Sequence, residues 1–321
     1  TAGPRLSARR RKGQMLRTLG RHATELGSNL ETKLDRRRPH PSDRHFDLAL
    51  ITLTSPLELY AIEEYRWLRD AADRVVLYLP EVWPTVADER VLRLEPWDLI
   101  DDIFVGLSPG AEVLASALGR PVTFVPMGID SLVFGPDDDD RPIGVMNPGR
   151  RAPMQHAALQ SACNELGLWY SFDTLGGARM IDGREHRRSQ LGNLARARVL
   201  VANNAKFNDL VATGGAKVAP YRVVEGVAAG CRLIGSGFDD RYLAELGIEG
   251  VEIGRLSLEA HHEDAVAVLG EDIDRSERAR LRRLARLRLD WAWRWDLMLS
   301  SLGLPHSVGL GQRFEQLERS P

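Results

Sequence analysis

Apolar residues along this chain recur in two rhythms that take turns. Short apolar runs bounded by polar or turn residues predict strands at Phe46 to Thr52, Arg74 to Leu79, Ile103 to Val105 and Val122 to Val125. Between them, helical spacing predicts helices over Leu57 to Ala72 and Ala111 to Leu118. The alternation restarts in the second half. Strands are expected at Ile143 to Met146, Trp169 to Phe172, Val199 to Ala202 and Arg232 to Ile234, with helices over Met154 to Leu166, Glu185 to Arg196 and Tyr221 to Ala229. Such βαβ grammar, with strands short and apolar, predicts α/β architecture with parallel sheets covered on both faces. An Arg- and Leu-rich helix over Ser276 to Leu289 follows, its Arg278, Arg282, Arg283 and Arg286 expected on a solvated face. Trp291 and Trp295, four apart, share a helix face and predict docking on another surface.

Turn residues divide the pattern. Pro126-Met127-Gly128-Ile129-Asp130, then Gly135-Pro136 and the aspartates Asp137 to Asp140, mark a boundary between two domains. With 321 residues, 43% hydrophobic and 27% charged, the chain is long enough for both to bury a core. Consecutive acids point in different directions, so Asp137 to Asp140 read as a solvated linker rather than a metal site. Cys163 and Cys231 lie far apart and lack zinc or redox spacing, so both are expected reduced and buried.

The net charge of -2 conceals a polarity, since residues 1–45 hold 12 Lys/Arg against 4 Asp/Glu. This arm reads as a solvated or protein-packed segment, or as a helix lying on an anionic membrane surface. Nothing in it adds a base-reading motif to the charge, so no nucleic acid is expected as a partner. No run of about 18 apolar residues and no secretory core occur, which sets the expectation of a cytoplasmic, non-spanning protein.

Chemistry concentrates at strand ends. Pro220-Tyr221-Arg222 opens a helix whose free N–H groups and positive dipole end suit an anion beside Arg222. Glu225, one turn on, could accept from a pair of ribose hydroxyls, or could form a plain surface pair with Arg222. Gly149-Arg150-Arg151 follows a strand, where a guanidinium could clamp a diphosphate or simply be solvated. Asp173-Thr174 also follows a strand and reads as a nucleotide-pocket lining or an ordinary polar loop. Glu185 reads as a helix cap and His186 as structural. In the first half, Glu81 and Trp83 end a strand, either meeting an acceptor, with Trp83 as a sugar platform, or lying exposed and packed in the core respectively.

The stretch Pro220 to Gly235, with Val125 to Asp130 and Phe134-Gly135-Pro136 upstream, resembles a divergent branch of the retaining GT-B glycosyltransferases of the family-4 type. The matching positions are Gly128 and Asp130, Gly149 and Arg150, and Glu225 with Ala228, Ala229 and Gly230. Lys217 stands where many members carry a second glutamate, and Gln155 and His156 stand near the family's usual lysine. The resemblance implies two doubly wound Rossmann-like domains facing a cleft, and transfer from a nucleotide-sugar donor with retention; the alternative is a non-catalytic sugar-nucleotide or partner-binding protein on the same scaffold. No metal or other cofactor is expected, since the acidic runs Asp101-Asp102, Asp137 to Asp140 and Asp239-Asp240 read as linkers or loops rather than a diphosphate site. On that reading residues 1–45 are the arm, 46–130 the acceptor-side domain and 131–285 the donor domain. Residues 286–321 would return to the first domain. Donor binding falls to Gly128, Gly149, Arg150, Arg151, Asp173, Thr174, Lys217, Tyr221, Arg222 and Glu225, and catalysis to Arg150, Arg151 and Glu81.

Overall fold

The structure, a computed structural model, describes residues 45–59, 66–86, 95–135, 140–173 and 182–320. The arm apart from His45, Asp137 to Asp139, the loop from Thr174 to Gly177 and the middle of the expected Leu57 to Ala72 helix lie outside these. The chain divides into two compact units between Phe124 and Val125.

The first unit carries four parallel strands in sequential order: β1 (Phe46–Thr52), β2 (Ala72–Leu79), β3 (Asp102–Val105) and β4 (Thr123–Phe124). Helices α1 (Leu68–Ala71) and α2 (Ser108–Leu118) connect them. Ala72, expected to end a helix, begins β2 instead, paired with Phe46. The apolar run of β2 is buried almost throughout, and Val75, Leu77 and Leu79 form a core with Leu59, Ile103, Val105 and Leu114.

The second unit is doubly wound. Its strands are β5 (Ile143–Asn147), β6 (Trp169–Phe172), β7 (Ala197–Val201), β8 (Arg232–Gly235) and β9 (Ile253–Arg255). All are parallel, in the order β6-β5-β7-β8-β9. The chain therefore turns one way from β5 to β6 and the other way from β5 to β7, opening a crevice at the carboxyl ends of β5 and β7. The first sheet shows no such reversal among the described residues.

Alternation along these strands dictates the layers. Met146, Leu200 and Leu233 face a core with α4 (Gly183–Ala195), α6 (Tyr221–Ala229) and α9 (Arg275–Arg288). Val145, Val199, Val201 and Ile234 face the opposite core, with α3 (Pro153–Glu165) and α8 (His262–Leu269). Fully burying each such side chain contributes about 1.5–3 kcal/mol. The short helices α5 (Leu210–Thr213) and α7 (Arg241–Leu246) fill connections, and α10 (Trp291–Leu302) and α11 (Val308–Arg319) end the chain.

One expectation needs correction. Arg282 and Arg286 are buried, at 7% and 9% exposure, rather than solvated. The Arg282 stem crosses Gly230 so closely that a Cβ there would lie 3.1 Å from it, as suits long cationic side chains that cover apolar surface with their stems. Residues 286–321 lie in the same compact unit as the turn around Asp130. The reason is Asp290, 1% exposed. Its carboxylate accepts from Ser131 N and Oγ (2.9 and 2.7 Å), Ala292 N (3.0 Å) and Arg313 Nη2 (2.6 Å), while Ile129 N donates to Leu289 O at 2.8 Å. Burial pushes the Asp290 carboxyl up, but hydrogen bonds from Arg313, Ala292 and Ser131 outweigh it and hold the group below the usual range. The turn around Asp130 is thereby fastened to the C-terminal helices.

Candidate functional site

The carboxyl ends of β5 and β6 and the start of α6 bring most of the expected donor residues together. β5 ends at Asn147, and Pro148 leads into Gly149, whose φ of +75° is left-handed and open to glycine at little cost. A Cβ at 149 would also lie 2.3 Å from Arg222 Nη2, so the Arg222 guanidinium occupies the space the missing side chain leaves. The Gly149 N–H donates to Asp173 Oδ2 at 2.6 Å. Desolvation lowers the Arg222 pKa, Glu225 and Asp173 raise it, and Arg150 lowers it again. Arg222 remains a cation, held partly out of water among two carboxylates and another arginine.

The two arginines after Gly149 differ. Arg151 donates to Asp173 O, and its guanidinium lies 5.2 Å from the Phe172 ring centroid. Arg150 is exposed beside the cluster. Beneath them, burial and then the nearby Arg151 charge lower His156, so the neutral imidazole accepts at Nδ1 from the Tyr170 hydroxyl at 2.8 Å. Tyr170, pushed up to about 12 chiefly by burial, accepts from Asn147 Nδ2 at 2.9 Å. Deeper in the crevice, Gln155 and Asn203 exchange amide hydrogen bonds of 3.0 and 2.7 Å, tying α3 to the end of β7.

Glu225 is not paired with Arg222 as its spacing suggested. Arg187 of α4 reaches it instead, and the Glu225 side chain is 12% exposed. The Arg187 guanidinium also lies 5.8 Å from the centroid of Tyr221. Tyr221, pushed up to about 12 mainly by burial, donates its hydroxyl proton to Gly128 O at 2.8 Å. Gly128 is walled in, since a Cβ there would lie 3.0 Å from Trp291 and Arg294 atoms. The structure thus places Gly128 in the packing that supports α6, with Trp291 as the surface it meets.

Other expected residues stand apart from this cluster or outside it. Lys217 is exposed, and its carbonyl accepts from Asp239 N at 3.1 Å after β8. Thr174 lies outside the described residues. Asp182, not Glu185, caps α4, accepting from Arg184 N and Glu185 N, and His186 is exposed. In the first unit Trp83 is 3% exposed and donates its indole N–H to Glu81 Oε1 at 2.6 Å, so it packs inside rather than offering a platform. The residue sequence reasoning missed is Arg187. Its only sequence signal was a basic run, Arg187-Arg188, near a helix start.

Among the described residues no group of three or more His, Cys, Asp or Glu is arranged to hold a metal ion. Nor is any helix there long and apolar enough to cross a membrane.

No family model and no curated protein matches the chain. Among solved structures it is similar to AviGT4, a glycosyltransferase involved in avilamycin A biosynthesis, at 16% identity and a TM-score of 0.44 over 80% of this chain and 78% of that one. It is likewise similar to CalG4, the calicheamicin glycosyltransferase, at 16% identity and a TM-score of 0.39 over 80% and 73%. Likeness at this level leaves the functional case to the residues.

Proposed function

We propose that the chain is a glycosyltransferase whose second unit binds a nucleotide-sugar donor, with the diphosphate in the arginine cluster around Gly149 and the ribose at Glu225. The observation that carries this reading is Arg222, a half-buried guanidinium packed on a side-chain-free turn at the crevice where doubly wound sheets take their ligands. Guanidinium pairs bidentately with phosphate oxygens, and the first turn of α6 adds its dipole to the same spot. As the glycosidic bond breaks, negative charge grows on the leaving diphosphate, and fixed cations stabilise it more than they stabilise bound donor. Arg150, Arg151 and Arg222 perform this without a divalent cation in the proposed reaction, and the acceptor attacks with retention.

Thermal shifts with UDP-, GDP- and dTDP-linked sugars test the reading, on the parent protein and on Arg222→Ala. One donor class should raise the melting temperature of the parent and not of the variant, and its slow hydrolysis should survive EDTA. A panel in which no donor shifts the parent would overturn the reading. So would hydrolysis that magnesium restores after EDTA removes it.

A further inference from the structure

We infer that Arg187 is a specificity-determining residue that exchanges partners, holding Glu225 when the site is empty and turning to the donor's diphosphate when ribose hydroxyls take Glu225. The inference rests on the reading above and goes beyond it, because it makes Arg187 both a competitor and a ligand.

The geometry points this way on three counts. Glu225 has two cationic neighbours, the Arg187 guanidinium bonded to it and Arg222, on which it acts electrostatically. The Arg187 guanidinium is hydrogen-bonded to Glu225, whereas Arg222 meets that carboxylate electrostatically, so Arg187 is the cation a ribose must displace. Second, Arg187 is anchored for rotation, not burial. Its side chain is 37% exposed, against 12% for Glu225, and it lies near the Tyr221 face while Tyr221 itself is fixed to Gly128. The guanidinium itself lies over the ring, so Tyr221 offers it a second attraction while it lets go of Glu225.

Third, charge sets the direction of the swing. Among the described residues Arg150, Arg151, Arg187 and Arg222 face Asp173 and Glu225, an excess of two positive charges. A nucleoside diphosphate joined to an uncharged sugar brings two negative charges and closes that balance. A nucleoside alone brings none, and must still break the Arg187 to Glu225 pair before its hydroxyls reach the carboxylate. The site therefore penalises ligands that carry a ribose without phosphates. The chemical class selected is a nucleoside diphosphate, with or without a neutral sugar.

Opposite signs in two titrations test this. UDP, GDP, uridine and guanosine are titrated by calorimetry into the parent protein, Arg187→Gln and Arg187→Lys. Loss of the guanidinium in Arg187→Gln should tighten the matching nucleoside about threefold, the worth of a partly exposed pair released. The same variant should weaken the nucleoside diphosphate about tenfold or more, the loss of a charge-assisted contact. Arg187→Lys should restore part of the diphosphate affinity. If both ligands weaken together, Arg187 is only a structural prop and the exchange is overturned. If both are unchanged, Arg187 stays on Glu225 or outside the site, which also overturns it. If neither diphosphate binds the parent protein and no dTDP-linked sugar shifts its melting, the donor-site reading itself fails.

Discussion

The loops after β1 and β5 occupy equivalent places, each at the carboxyl end of the first strand of its sheet, yet they satisfy their polar groups in opposite ways. After β1, Thr54 donates both its backbone N–H and its hydroxyl to Glu58, at 2.8 Å each. Both donors find their acceptor four positions along the chain. After β5, the Gly149 N–H finds its acceptor at Asp173, and the space above it is filled by Arg222. The loop after β2 repeats the local solution through Trp83 and Glu81. Local closure consumes donors and acceptors, whereas closure by charged tips from distant elements leaves groups that a ligand can take over. The difference is one reason for proposing that the binding chemistry lies in the second unit.

The sharpest way to break this contrast is at the two arginines that follow Gly149. Arg151 is already engaged by Asp173 O and Phe172, so of the cations proposed to meet the leaving group the exposed Arg150 is expected to carry the largest share. Arg150→Ala should cut kcat by about a hundredfold in single-turnover experiments, as loss of one oxyanion-type donor does. Arg150→Lys should recover little, because a point charge lacks the bidentate fork. Equal rates for Arg150→Ala and the parent would move the clamp to Arg151 or Arg222.

A smaller effect, on stability alone, is expected at Asp290. Asp290→Asn should cost about 2 kcal/mol, since the hydrogen bonds lost involve a charged, buried acceptor. The folded pKa is depressed, so this stabilisation is complete above the unfolded value near 3.9 and lost as pH falls through the folded one. Melting curves should show a gap between parent and variant that is constant from about pH 7 to 5 and narrows below about pH 4. A gap that instead widens on acidification would contradict the assigned carboxylate.

The smallest effect is expected at Glu81. Its carboxylate is exposed and serves the Trp83 indole, so Glu81→Gln should change kcat by less than about twofold. A loss of a hundredfold would instead place a catalytic carboxylate in the first unit.

These contrasts explain what could be read from sequence. The strands β1, β5 and β6 are apolar or mixed runs between turn residues, and helix α6 lies between a proline and a glycine, so local signals were enough. β9 is three residues at a sheet edge, too short for any period to register, α7 and α8 span too few turns for a helical period to stand out, and half of α11 is polar or charged. Arg282 and Arg286 misled because charge predicts exposure unless the stem finds apolar cover. At the site, Gly149, Arg150, Asp173 and Arg222 were legible because each follows a strand or opens a helix. Arg187 was not, because its partner Glu225 is 38 residues away and no local pattern encodes such a pairing.

The meeting of Gly149 and Arg222 also has a consequence for descent. Because the guanidinium stands where a Cβ would be, a lineage that acquires any side chain at 149 must displace the arginine in the same step or soon after. Shortening 222 first would open that space but leave the left-handed backbone, which still favours glycine. Change is therefore easier in one order than in the other. Since only the flexible tip of Arg222 would have to move aside, the left-handed backbone is the firmer constraint at 149.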